Sequence, residues 1–315
     1  MAQQRVTGSF VALITPMNED YSVDMAGFDT LLDLQRDSGT AAVLIMGSSG
    51  EVSMLSTEER HRIVAETMAM KKGAMEHWYG CTGPSTETTI AYVNQAASEG
   101  ADGAIIAAPA YICASTADIV RFFLDVADAS PIPIGIYNNP PRVMTDLSAD
   151  DILEIAAHPN VQVHKESTGR VGQVGQICAA APEMSIMCCC SPNLGLVVPT
   201  MALGGHGTAN MTGNIIPREM AEISIPWDSD PAQPMRFREA YLKNLPMLHF
   251  VYSAINPVAV KSLMAAVGLP AGPLRKPLSA LTGDHLARGL RVVQDLGLKE
   301  RYGYRVPQSA LMAAE

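Results

Sequence analysis

The feature that most constrains this chain is an alternation of short apolar, β-branched runs with longer stretches at helical spacing. It is sustained without a composition break to about residue 215. Residues 10–14, 41–46, 77–82, 103–107, 132–137, 161–165, 185–189 and 207–211 read as strands. Between them, 24–38, 87–99, 117–129, 148–157, 171–180 and 194–203 carry the 3.6-residue periodicity of amphipathic helices. Ser56-Thr57-Glu58-Glu59 fits a capping box that opens a further helix running to about Met70. An eighth helix is expected after Pro217. Eight strand–helix units in series favour an α/β fold of the (β/α)8 TIM-barrel type, with an open doubly wound sheet as the runner-up. No G-x-G-x-x-G follows the first strand, which counts against a dinucleotide fold. From about residue 236 the pattern is wholly helical (236–252, 257–267, 279–296), punctuated by Pro231, Pro234, Pro270 and Pro273. The expected organisation is a barrel over 1–230 and a C-terminal helical extension, 231–315, packed on it.

In a barrel of this type, catalytic residues sit where strands finish. Three strand ends here carry chemistry. In Val161-Gln162-Val163-His164-Lys165-Glu166, alternation puts Lys165 on the face of Val161 and Val163. If that face is a packed interior, the charged form of an amine is disfavoured there. Only a free amine can attack a ketone to form a Schiff base. The bland reading is that Lys165 caps a strand end and reaches to water. Tyr137 ends the fifth strand, next to the lysine's strand, and a phenol there can shuttle protons as a carbinolamine collapses to an imine. Its bland reading is a ring that seals the barrel mouth. The second strand ends in Gly47-Ser48-Ser49-Gly50, whose backbone N–H groups and two hydroxyls can cradle a small carboxylate, or form only a flexible turn.

At a net charge of −10, with no basic run, the chain is a poor match for nucleic acid or an anionic membrane, so an anionic substrate needs a locally positive site. None of the six cysteines forms a C-x-x-C pair. Cys188, Cys189 and Cys190 are consecutive, and neighbours on a strand alternate faces. All six, with Cys81, Cys113 and Cys178, read as reduced, buried small hydrophobes of a cytoplasmic protein. The seven histidines show no H-E-x-x-H pattern, so no metal is expected. The first five residues have no signal-peptide core, and no apolar run approaches membrane-spanning length.

The chain resembles the dihydrodipicolinate synthase/N-acetylneuraminate lyase family of Schiff-base enzymes that handle pyruvate. The resemblance rests on Gly8-Ser9-Phe10-Val11-Ala12-Leu13-Ile14-Thr15-Pro16, Gly47-Ser48-Ser49-Gly50-Glu51, Tyr137-Asn138-Asn139-Pro140-Pro141-Arg142 and Lys165-Glu166-Ser167-Thr168-Gly169. It continues through Gly204-Gly205-His206-Gly207 to Asn256-Pro257-Val258-Ala259-Val260-Lys261. It implies a homotetramer and no cofactor beyond a covalent lysine imine with the substrate. Lys165 falls on the Schiff-base lysine, Tyr137 on the relay tyrosine, and Ser48 and Ser49 on the hydroxyl pair that relays protons and holds the pyruvate carboxylate, with Gly47 beside them. Tyr111 falls on a tyrosine that reaches into the neighbouring subunit's site. Arg142 falls on an arginine that binds the second substrate's carboxylate, and Ala209 would lend a backbone carbonyl near the adduct. The departures concern the second substrate. Pro192-Asn193-Leu194 stands where many members have an acidic segment, which disfavours a polyol, Ser48–Ser49 replaces two threonines, and Ala110 replaces a tyrosine.

The expected activity is condensation of pyruvate, or another small 2-oxo acid, with a small carboxylate-bearing aldehyde. The alternative is a catabolic member that cleaves, dehydrates or deaminates a small acid. A non-catalytic barrel acting as a ligand sensor is the second alternative, against which the joint presence of Lys165 and Tyr137 argues.

Overall fold

The computed structural model describes residues 5–71 and 73–306. Residues 1–4, part of the stretch read above for a leader, and 307–315 of the expected extension lie outside the described residues. Eight parallel strands close into a barrel in sequence order: β1 (Gly8–Ala12), β2 (Ala42–Ile45), β3 (Glu76–Gly80), β4 (Gly103–Ala107), β5 (Ile134–Asn138), β6 (Val161–Glu166), β7 (Ser185–Cys188) and β8 (Gly207–Asn210). The first and last strands pair in register, Gly8 to Gly207 and Phe10 to Ala209, so no sheet edge remains. The helices between them are α1 (Met25–Asp37), α2 (Thr57–Ala69), α3 (Thr86–Ser98), α4 (Thr116–Ala129), the single turn α5 (Pro140–Val143), α6 (Ala149–Ala156), α7 (Val171–Ala180), α8 (Val197–Ala202) and α9 (Pro217–Ile223).

Local chemistry explains most of these boundaries. The capping box is present: Ser56 Oγ accepts from Glu59 N at 3.2 Å, and the Glu59 carboxylate accepts from Ser56 N at 2.8 Å. Asp24 caps α1 by accepting from Gly27 N. The helix expected over 194–203 is shorter, because Gly195 adopts a left-handed conformation (φ 65°) and separates a 3-10 turn, Pro192–Leu194, from α8.

Side-chain alternation sorts the core into two layers. Phe10, Leu44, Trp78, Ile105, Val163 and Met187 fill the barrel interior, and a larger cluster lies between barrel and helices. The Trp78 ring takes the space a side chain at position 103 would need. A Cβ on Gly103 would lie 2.4 Å from it.

One expectation about register is corrected. Val163 lies in the inner layer, but Val161 packs in the outer one, so Val161 does not share the lysine's face. The β5–β6 register slips here: Ile134 pairs with Val161, and the next residue, Gly135, with Val163. The extra residue on β6 is a bulge, and it resets alternation before Lys165.

After α9 come α10 (Gln233–Val251), α11 (Val258–Val267), α12 (Gly283–Asp295) and the short α13 (Leu298–Tyr302). α10 packs on α9 and α12, and α11 packs on α12. Expected to begin near 279, α12 starts four residues later, at a left-handed Gly283 (φ 53°) that follows the N-cap Thr282. None of the described helices is long and apolar enough to cross a membrane.

Candidate active site

β5 and β6 run side by side, and Tyr137 and Lys165 are register partners at their C-terminal ends. Lys165 is buried, only 4% exposed, and its Nζ lies 4.3 Å from the centre of the Tyr137 ring. An amine there faces a negative ring surface in place of bulk water. The Tyr137 hydroxyl oxygen accepts from Asn139 Nδ2 at 2.5 Å, which occupies a lone pair and leaves the phenolic proton free to be passed on.

Both residues line a cavity of about 250 Å³ at the mouth of the barrel. Ser48 and Ser49 enter it from the 3-10 turn Ser48–Gly50 that follows β2. The turn itself uses the amides of Gly50 and Glu51, which donate to the carbonyls of Gly47 and Ser48. The donors left for a carboxylate are therefore the serine hydroxyls and their own N–H groups. Gly47 caps the turn from behind and is not on the cavity wall. Gly80 lets the turn sit this low, since a Cβ there would lie 2.0 Å from the Met46 carbonyl oxygen.

Ala209 lines the cavity from β8, and Arg142 lines it from α5, an exposed side chain at the rim. Arg142 Nη2 donates to the Asn256 carbonyl oxygen at 3.1 Å. Among the described residues, Lys165 and Arg142 are the basic side chains on the cavity wall and no carboxylate lies there, which suits an anion in a chain of net charge −10. Tyr111 is not brought to this cavity. It is 97% exposed, at the turn after β4, with a positive φ of 75°.

Several wall residues carried no chemistry in the sequence reading. Asn139, Ser167, Cys189, Ser191 and Leu194 come from the ends of β5, β6 and β7. Tyr252, Ile255 and Asn256 come from the segment joining α10 to α11, so the extension completes the site. Asn139 was findable two residues beyond Tyr137, and Asn256 opens a motif already quoted. Nothing in the sequence marks Tyr252.

The cysteine reading needs two corrections. Cys113 is exposed and Cys178 and Cys189 are half-buried, while Cys81, Cys188 and Cys190 are buried as expected and all six are free thiols. Cys189 and Cys190 also lie past the end of β7, where alternation no longer applies, and both sulfurs converge on the Tyr252 hydroxyl at 3.2 Å. Burial, with these two neighbours, pushes the Tyr252 phenol well above its ordinary range, so it stays protonated beside the site.

Glu166 points away from the cavity, and its carboxylate accepts from Thr168 N at 2.8 Å and Gln173 Nε2 at 2.9 Å, with His164 Nε2 at 3.2 Å. Burial alone would raise its pKa, but His164 and Thr168 outweigh that and hold it at about 2. A larger open groove of about 820 Å³ lies around the start of β6, at the opposite end of the barrel. It gathers none of the strand-end residues. Among the described residues, no group of three or more His, Cys, Asp or Glu could hold a metal ion.

A buried amine, a phenol and paired hydroxyls in one cavity suit covalent imine chemistry on a carbonyl acid. Residues 5–295 match the model of the dihydrodipicolinate synthetase family. The chain is 33% identical over 296 residues to 4-hydroxy-tetrahydrodipicolinate synthase of Gluconacetobacter diazotrophicus, covering 92% of this chain and 97% of that protein. It is 31% identical over 295 residues to the synthase of Ralstonia nicotianae, covering 93% and 99%. Among solved structures, dihydrodipicolinate synthase from Aquifex aeolicus superposes with a TM-score of 0.87 at 28% identity, over 93% of this chain and 98% of that one. The chloride-inhibited synthase from Acinetobacter baumannii, complexed with pyruvate, gives 0.85 at 26% identity, over 93% and 99%.

Proposed function

The chain belongs to the dihydrodipicolinate synthetase family, and from that premise we propose that it is a Schiff-base lyase joining pyruvate to a small carboxylate-bearing aldehyde. The observation that carries the reading is Lys165, buried at the barrel mouth with its amine over the ring of its register partner Tyr137. The Lys165 amine attacks the ketone carbon of pyruvate. Tyr137 passes protons while the carbinolamine loses water to give the imine. Loss of a methyl proton then gives an enamine that attacks the aldehyde carbon, and hydrolysis returns the free lysine. Ser48 and Ser49 hold the pyruvate carboxylate, and the Ala209 carbonyl lies near the adduct. Arg142 grips the far carboxylate of the aldehyde, a task suited to a permanently charged fork of donors. The reaction needs no metal and no nicotinamide.

We further propose a homotetramer in the cytoplasm, in which the exposed side chain of Tyr111 serves the neighbouring subunit's site. Borohydride trapping tests the core of the reading. Pyruvate and borohydride should add a reduced three-carbon fragment to the peptide containing Lys165. Lys165→Ala should abolish it, and Tyr137→Phe should slow it by about 10²–10⁴-fold. An adduct on another lysine, or none, sinks the assignment.

A further inference from the structure

One residue of the extension touches both polar ends of the cavity. Asn256 Nδ2 donates to Ser48 Oγ at 3.2 Å, and its backbone carbonyl accepts from Arg142 Nη2 at 3.1 Å. Its Oδ1 is buried and has no partner. One N–H of the amide is therefore given to the serine, and its oxygen to nothing. Turning the amide over would put both N–H donors where the unpartnered oxygen now lies buried, so the donating orientation is the better one.

A serine hydroxyl has one hydrogen and two lone pairs. If Ser48 accepts from Asn256, its hydrogen is free to point elsewhere. In this cavity the useful target is an anion that can only accept, such as the carboxylate of a 2-oxo acid. Were Ser48 instead to donate to an amide oxygen, its lone pairs would face that carboxylate and repel it. From this geometry we infer that Asn256 is a positioning residue that sets the direction of the Ser48 hydroxyl, so that Ser48 meets the substrate carboxylate as a donor. The inference rests on the imine reading above, in which Ser48 holds that carboxylate. Asn256 itself does no chemistry.

A double-mutant cycle on borohydride trapping of pyruvate tests this, with thermal melting as the check on folding. Asn256→Leu keeps the approximate shape and removes the donor. It should cut the trapping rate at low pyruvate by about tenfold, the size of one hydrogen bond to a charged group. The loss should appear in KM for pyruvate more than in kcat. Selectivity among aldehydes should hold, because Arg142 contacts only the backbone of residue 256. In a Ser48→Ala background the same substitution should cost less than about twofold, since its target is gone. Asn256→Asp keeps shape and polarity but can only accept, so it should cost more than Asn256→Leu. That gap should narrow in the Ser48→Ala background. It also serves if the leucine variant does not fold. Equal losses with and without the Ser48 hydroxyl, or no loss at all, overturn the inference. A wild-type protein that traps no pyruvate overturns the imine reading beneath it, which a trapping wild type with an additive cycle does not.

Discussion

Replacing Lys261 by methionine should destabilise the protein far more than an average substitution. Lys261 lies on α11 and Glu51 directly follows the serine turn, and both side chains are wholly inaccessible. Nζ and Oε1 are 2.5 Å apart, and the other carboxylate oxygen accepts from Arg275 N at 2.8 Å. Burial lowers the Lys261 pKa, and the charge of Glu51 only partly offsets that. Methionine matches the length of the lysine stem but leaves Glu51 with one backbone donor in a buried site. Removing one partner of a buried pair costs about 3–5 kcal/mol. That is a large share of a typical total of roughly 5–15 kcal/mol. At about 2 °C per kcal/mol for a chain of this size, the melting temperature should fall by roughly 6–10 °C. Adding Glu51→Gln should recover at least about half of the loss, because the stranded charge is then gone. Scanning calorimetry of wild type, Lys261→Met and the double variant measures all three. Pyruvate trapping by the folded single variant should also weaken, since Glu51 anchors the turn that carries Ser48 and Ser49. A single variant that melts within about 1 °C of wild type would refute the reasoning. So would a double variant less stable than the single one.

Arg142→Ala should trap pyruvate nearly as well as wild type. It should lose about 1.5–3 kcal/mol in kcat/KM with carboxylate-bearing aldehydes and little with uncharged ones. Equal losses for both classes would make Arg142 structural, a closer of loops through its bond to Asn256. His77 supplies a pH dependence. Burial, reinforced by the charge of Lys71, lowers its pKa to about 4 in the folded chain. An unfolded histidine takes up its proton near pH 6.5. Between those values the unfolded state binds more protons, so stability should fall as pH drops from about 6.5 to about 4, by up to roughly 3 kcal/mol. Urea unfolding of wild type and His77→Leu across that window checks it, because the variant should lose that slope.

How much was legible in the chain follows from the range of the forces involved. Strand and helix positions depend on periodicity and caps within a few residues, so β4 at Gly103–Ala107 and α7 at Val171–Ala180 were readable to the residue, as was the Ser56–Glu59 capping box. Repetition of that local unit implied the closed barrel. Strand-end geometry then brought Lys165 and Tyr137 together, because parallel neighbours in a barrel must finish on one face. What the sequence could not decide was set by contacts between distant segments. The bulge that turns Val161 outward exists because β6 must match β5 and the two packed layers at once. Cys189 and Cys190 face one phenol because the chain leaves β7 before alternation can separate them, and that phenol arrives from α10's end, 63 and 62 residues further on. Asn256 meets Ser48 across 208 residues. No local pattern encodes such a pairing. It appears only when the extension has packed and its connecting segment closes the mouth of the barrel.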